Sequence, residues 1–242
     1  MKLTDFSTLS FDCYGTLIDW ETGMIENLAP LTSQVSRELG RDEILDAHGR
    51  HESAQQADTP SMNYRQILST VYMRLAAEWG VKVDNAACAA YGNSVEKWPA
   101  FPDSAEALAY LKQHYKLVIL SNIDRASFAA SNEKLGVTFD AIVTAEDVGS
   151  YKPATQNFDV MLRELSGMGI GKKDILHTAE SLFHDHTPAN KVGLASAWIH
   201  RRHAQSGSGA TRPVGDMPNI DFRFTSMQAM ADAHRQEVSV EP

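Results

Sequence analysis

Leu9-Ser10-Phe11-Asp12-Cys13-Tyr14-Gly15-Thr16-Leu17 runs from apolar residues straight into a carboxylate and a glycine-containing turn. A buried strand that ends this way puts a nucleophile at its carboxyl end, where open α/β sheets carry their sites. Asp12 is therefore the first candidate for chemistry. The rest of the chain is read by asking what would surround it.

Two patterns follow this stretch. Residues 20–97 show only helical periodicity. Met24, Leu28, Leu31, Val35 and Leu39 predict one helix stopping at Gly40, and Ile67, Val71, Leu75 and Trp79 predict another ending at Gly80. Ala86 to Val95 suggests one more. Between the first two, Arg41 to Tyr64 is polar, helical at best in its first part and broken at Pro60.

From Pro99 strands and helices alternate. Asp103 with Glu106 reads as a helix N-cap and its reciprocal partner. Residues 117–120, 139–144, 175–179, 196–200 and 222–224 read as strands, with helices at about 126–135 and 154–166. Thr187-Pro188 reads as an N-cap and first-turn pair. Such alternation implies an α/β fold, a parallel sheet covered by helices on both faces. Ala204 to Asn219, rich in Gly, Ser and Pro, reads as a surface loop.

Bulk properties narrow the function classes. The chain has 242 residues and a net charge of −9 spread along its length, which argues against nucleic acid or an acidic membrane surface as partner. His200-Arg201-Arg202-His203 reads as a solvated basic loop isolated in an acidic chain. No apolar run approaches the roughly 18 residues of a membrane span, and the start lacks the apolar region of a signal peptide. Two cysteines, Cys13 and Cys88, cannot make a disulfide framework and suit a reducing, cytoplasmic setting. A homodimer is an expectation that an apolar face on the helices of 20–97 would allow.

Four strands end in polar residues: Asp12, then Ser121-Asn122, then the loop from Glu146 to Lys152, then Glu180 to Asp185. Each alone has a plain structural reading as a turn or cap. Together, on one edge of a parallel sheet, they bring a carboxylate, a hydroxyl, an amide, an ammonium and a second carboxylate to one pocket. That set suits covalent catalysis by a carboxylate. His184-Asp185-His186 could be read as part of a metal site, but no third ligand is evident, so His184 is read as lining the pocket.

At these residues the chain resembles the haloacid dehalogenase-like hydrolase superfamily over essentially its whole length. Phe11 to Leu17 matches the first motif, Leu120-Ser121-Asn122 the second, Tyr151-Lys152-Pro153 the third, and Asp185 is taken as the acid of the fourth. The resemblance implies a Rossmann-like doubly wound parallel sheet with an inserted helical cap. The core would be 1–17 plus 98–242 and the cap 18–97. It also implies that a phosphatase would carry a second Asp where this chain has Tyr14. An alkoxide leaving group needs a proton, halide does not, and tyrosine with a pKa of about 10 is a poor acid near neutrality.

The first motif with Tyr14 is thus similar to that of the type II 2-haloacid dehalogenases. In that likeness Asp12 attacks C2 of a short 2-haloalkanoic acid, Lys152 holds Asp12 ionised, Asp185 orients Lys152 and the hydrolytic water, Thr16 hydrogen-bonds Asp12 and Ser121 binds the substrate carboxylate. Asn122 helps cradle the halide, while Tyr14, Trp20, Glu180 and His184 border the substrate. No cofactor or metal is implied. A phosphatase on the same fold, acting on a small phosphorylated metabolite, is the alternative and would need Mg²⁺ on Asp12 and Asp185. Two departures stand out. The cap arginine of the dehalogenases has no clear counterpart, leaving Arg50, Gln55 and Gln56 as candidates, and Glu180 would repel a carboxylate substrate if it faced the pocket.

Overall fold

The computed structural model describes residues 1–205, 207 and 209–240, so Ser206 and Ser208 of the predicted loop and the last two residues lie outside the described residues. Six strands form one sheet: β1 (Thr8–Phe11), β2 (Lys116–Ser121), β3 (Ala141–Thr144), β4 (Ile175–Ala179), β5 (Ala195–Ile199) and β6 (Phe222–Phe224). They lie in the order β3-β2-β1-β4-β5-β6, and every pairing is parallel. The winding reverses at β1, so the residue after Phe11 sits at the switch point of a doubly wound sheet.

Both faces of the sheet are covered, and the period-two alternation of the strands shows how. Leu117 and Ile119 of β2 join one apolar cluster with Leu9, Phe11, Leu108, Leu111, Met227 and Met230. Val118 and Leu120 face the other way, onto Val143, Phe158, Met161 and Leu165. The first cluster is closed by α5 (Ser104–Leu111) and α10 (Met227–Val240), the second by α8 (Gln156–Gly167). Strands buried on both faces explain the continuous apolar runs that announced them.

The chain between β1 and β2 is helical, as α1 (Trp20–Thr32), α2 (Arg41–Asp58), α3 (Tyr64–Glu78) and α4 (Asn85–Gly92). Asp19, Asn63 and Asp84 cap α1, α3 and α4 by accepting from Thr22, Arg65 and Ala87 backbone N–H groups. The two crossings between this zone and the sheet meet where Ile18 bridges Ala100.

Several local expectations are corrected. α1 stops at Thr32, soon after Pro30, instead of running to Leu39. α2 is a full helix over the stretch read as only partly helical; its buried face carries His48, Glu52, Gln55 and Gln56, which erased the apolar periodicity. Asp103 makes no side-chain cap bond; it pairs with Arg201 through both oxygens, at 2.8 and 3.0 Å. Thr187 is the first residue of α9 (Thr187–Lys191), not its cap; the chain enters it directly from a π-helical turn over 182–186.

The basic run after β5 is also not a solvated loop. Arg201 donates to the Thr16 carbonyl from Nε and Nη2, at 3.0 and 2.8 Å, and lies 4.1 Å from the Phe101 ring centroid. Arg202 is buried against Glu21. Both arginines therefore clamp the segment that follows Asp12. Beyond α2, at 18 residues the longest helix described, no described helix is longer, and none is long and apolar enough to cross a membrane.

Trp98, fully buried, wedges against α1 and meets the Tyr14 ring edge-on at 5.8 Å. Gly23 makes this possible, since a Cβ there would lie 2.3 Å from Trp98 Cγ. Gly23→Ala would gain up to about 1 kcal/mol of helix propensity but would overpack a fixed ring at a cost of about 1–3 kcal/mol or more. A lower urea midpoint at unchanged m-value is the expected outcome.

Candidate active site

The end of β1 delivers Asp12, which is buried at 6% exposure. The turn behind it needs Gly15, whose φ is +94°, and a Cβ there would approach Trp20 Nε1 to 3.0 Å. Thr16 Oγ1 donates to Asp12 Oδ2 at 2.8 Å and in turn accepts from the Glu180 N–H at 2.9 Å. Lys152 is 1% exposed, and its ammonium donates to Asp12 Oδ1 (2.9 Å), Asp185 Oδ1 (2.6 Å) and the Leu120 carbonyl (2.8 Å). Its three hydrogens are thereby all engaged.

Asn122 fixes the lysine from behind. Its carbonyl accepts from the Lys152 N–H at 2.7 Å and its amide donates to the Lys152 carbonyl at 3.0 Å. The amide expected to cradle a halide is thus engaged with backbone, and Asn122 acts here as a positioning residue. Ser121 Oγ lines the cavity, is buried and has no hydrogen-bond partner among the described residues, so it is poised for a ligand.

The two carboxylates differ. Burial raises Asp12 from its ordinary value, with Lys152 opposing and Asp185 adding to the rise. For Asp185 burial also acts upward, but Lys152 and His177 overcome it and hold the acid well below the carboxylate range. His177, a residue the sequence reading missed, bridges Asp185 Oδ1 (3.0 Å) and Ser10 Oγ (2.9 Å) inside the sheet. Facing an acceptor-only carboxylate, Nε2 is the donor to Asp185. A histidine amid the apolar and small residues of β4 was the available signal.

Tyr14 lines the cavity with its ring, but its hydroxyl turns to Ser131 Oγ (2.8 Å) and away from Asp12. Burial pushes its pKa well up. Burial likewise raises the Cys13 thiol, which makes it a filler residue. Trp20 and His184 line the cavity as expected. His184 is held neutral, with burial lowering it to about 4. Glu180 does not line it; its carboxyl accepts from Thr211 at 3.3 Å, and burial and Glu21 raise it to about 8. Arg50 is exposed and pairs with Glu78, while Gln55 bonds to Thr59. Of the cap candidates only Gln56 reaches the cavity, beside Glu52, Ser53 and Tyr64. The cavity above Asp12 holds about 40 Å³ and adjoins a wider groove bordered by Phe183 and Arg212.

A divalent cation would have to sit on Asp12 and Asp185. The Lys152 ammonium already lies between them, and Tyr14 supplies no third carboxylate. Among the described residues no group of three or more His, Cys, Asp or Glu is placed to hold a metal.

A buried carboxylate after β1, a lysine shared between two acids and a helical insertion between β1 and β2 are the features the sequence tied to one family of hydrolases. Residues 6–178 match the family model of the haloacid dehalogenase-like hydrolases, and the chain belongs to that family. Among solved structures it is similar to the L-2-haloacid dehalogenase PA0810, at 22% identity and a TM-score of 0.76, over 97% of this chain and 99% of that one. It is also similar to the L-2-haloacid dehalogenase of Xanthobacter autotrophicus with chloropropionic acid covalently bound, at 19% identity and a TM-score of 0.76, over 95% and 98%. YfnB of Bacillus subtilis, a HAD-type hydrolase bound to magnesium, matches at 18% identity and a TM-score of 0.73, over 94% and 97%. At these identities the likeness is one of fold. No curated protein sequence matches the chain.

The buried ionisable groups predict a pH dependence of stability. Burial lowers His48 to about 3 and His184 and His186 to about 4, from 6.5. Below 6.5 the unfolded chain binds the extra protons, so these groups make stability fall as pH falls. Burial raises Glu52 to about 7 and Glu180 to about 8, from 4.5. Between those values the folded protein holds the extra protons, so these groups make stability fall as pH rises. The two effects balance at about pH 6, where the urea midpoint should be highest, declining toward both pH 5 and pH 8.

Proposed function

We propose that the protein hydrolyses a small carbon electrophile through an ester on Asp12, with 2-haloalkanoic acids as the substrate class to test first. The observation that carries the reading is the pairing of a buried Asp12–Lys152–Asp185 cluster with a Tyr14 hydroxyl directed at Ser131. A candidate nucleophile is present, and the side chain two residues after it, where an acid for an alkoxide leaving group would stand, is a tyrosine turned to Ser131. That combination suits a leaving group that departs as an anion without a proton, such as halide.

In this reading residues 1–17 and 98–242 form the core and 18–97 the cap. The Asp12 carboxylate attacks the halogen-bearing carbon with inversion; the carbon–halogen bond breaks and halide leaves with the electron pair. Lys152 and Thr16 hold the two carboxylate oxygens and orient them. Asp12 is the better nucleophile of the two acids because Asp185 is the more strongly stabilised anion. Water then adds to the ester carbonyl carbon of Asp12, releasing the hydroxy acid and a proton to solvent. Asp185 Oδ2, buried and without a hydrogen-bond partner among the described residues, offers an acceptor for that water. No step uses a metal.

Halide release from 2-chloropropionate, lost in Asp12→Asn and unaffected by a chelator, is the expected result. Chelator-sensitive turnover of p-nitrophenyl phosphate with no halide release would replace this reading with the phosphatase. A single turnover in H₂¹⁸O should place one heavy oxygen in the peptide containing Asp12, read by mass spectrometry. Because its hydroxyl faces away from the nucleophile, Tyr14→Phe should keep kcat within about tenfold, whereas loss of a general acid costs about 10²–10⁴.

A further inference from the structure

The cavity wall opposite Asp12 is acidic where a carboxylate-binding site would be basic. Glu52 projects into it from α2 at 6% exposure. Its hydrogen-bond partners are neutral: Gln56 Nε2 donates to Oε1 at 3.2 Å, and Tyr64 contributes its hydroxyl. His48 Nδ1 lies 3.6 Å from Oε2 but is uncharged, burial having lowered it to about 3. Burying a carboxyl without a cation is costly, and burial accordingly raises Glu52 to about 7.

No cation in the cavity is free to receive an anion. Lys152 is the one lysine or arginine among the described residues lining it, and its hydrogens go to Asp12, Asp185 and Leu120. His184 is neutral. The nearest cap arginines are turned elsewhere, Arg50 to Glu78 and Arg65 to Ser127 and Asn93. Arg212 borders the adjoining groove, over the Phe183 ring. Within the cavity itself a purely anionic substrate would therefore meet Glu52 with no free cation among the lining residues, Arg212 standing in the groove next to it. Ser121 Oγ, buried and without a hydrogen-bond partner among the described residues, lines the same cavity as Glu52 and Asp12 and offers a polar contact to a ligand there.

Resting on the aspartyl-ester reading above, we infer that Glu52 sets the specificity of this site and that the preferred electrophile carries an ammonium group, which pairs with Glu52 while Asp12 attacks the neighbouring carbon. The ammonium supplies the charge partner that the fold leaves out. The chemistry at Asp12 is unchanged: the carbon–halogen bond breaks, halide leaves with the electron pair, and water returns the carboxylate.

The test compares halide release from 2-chloroethylamine, protonated near neutrality, with that from 2-chloropropionate, subtracting the background of the Asp12→Asn protein. The expected result is a higher kcat/KM for the amine, and a fall in the amine-to-acid ratio on the order of 100-fold in Glu52→Gln, the scale of losing one member of a buried charge pair. Glu52→Asp, which keeps the charge, should retain most of the preference. The ratio is insensitive to the fraction of protein that folds. Turnover of the acid in preference to the amine would overturn the inference and leave the ester mechanism standing, as would a ratio unmoved in Glu52→Gln. Absence of halide from both, with no heavy oxygen in Asp12, would overturn both.

Discussion

Three strand ends converge on one ammonium. Lys152 Nζ bonds to Asp12 after β1, to the Leu120 carbonyl in β2 and to Asp185 after β4. β1 lies between the other two strands, so the lysine bridges the switch point of the sheet. Removing one member of such a buried cluster typically costs about 3–5 kcal/mol, because the remaining charges lose their compensation. The surrounding devices follow from this constraint. Asn122 pins the lysine's backbone, Thr16 holds the free side of Asp12, and Arg201 fixes the Thr16 carbonyl to the start of α5 through Asp103. Each restricts the motion available to the Asp12 carboxylate, as positioning of a reacting group requires.

One cation between two acids could have made them equivalent, and His177 prevents that. By donating to Asp185 and not to Asp12, it concentrates stabilisation of the anion on Asp185. Division of labour between like groups by unequal surroundings is a general way for one site to hold both a reactive and a supporting carboxylate. Here the asymmetry originates within β4, at the position paired in register with Ser10 of β1.

The strands and their polar ends were legible because each apolar run is buried on both faces and each stops at a residue with a job. Asp12, Ser121, Lys152 and Asp185 all sit where the pattern put them. The parts that were not legible depend on contacts distant in sequence. Arg201 and Arg202 read as solvated because their acceptors, the Thr16 carbonyl and Glu21, come from the other end of the chain. Glu180 read as facing the pocket because it directly follows β4, but Thr211 draws its carboxyl aside. His177 was invisible as a supporting residue because a histidine inside a strand gives no hint of which acid it meets.

α2 failed to read as a helix for a reason that bears on function. An amphipathic helix is recognised by the apolar stripe it buries, and α2 buries Ile44, Leu45 and Ala47 only in its first part and His48, Glu52, Gln55 and Gln56 after that. Burying polar groups without strong partners lowers stability, so such a face is not explained by packing. It is explained if the helix covers a site. Two of its members, Glu52 and Gln56, line the cavity over Asp12, and His48 backs Glu52 from the interior of the cap. The broken apolar pattern in Arg41 to Tyr64 and the acidic lining of the cavity that holds Asp12 are therefore the same fact, seen first in the sequence and then in space.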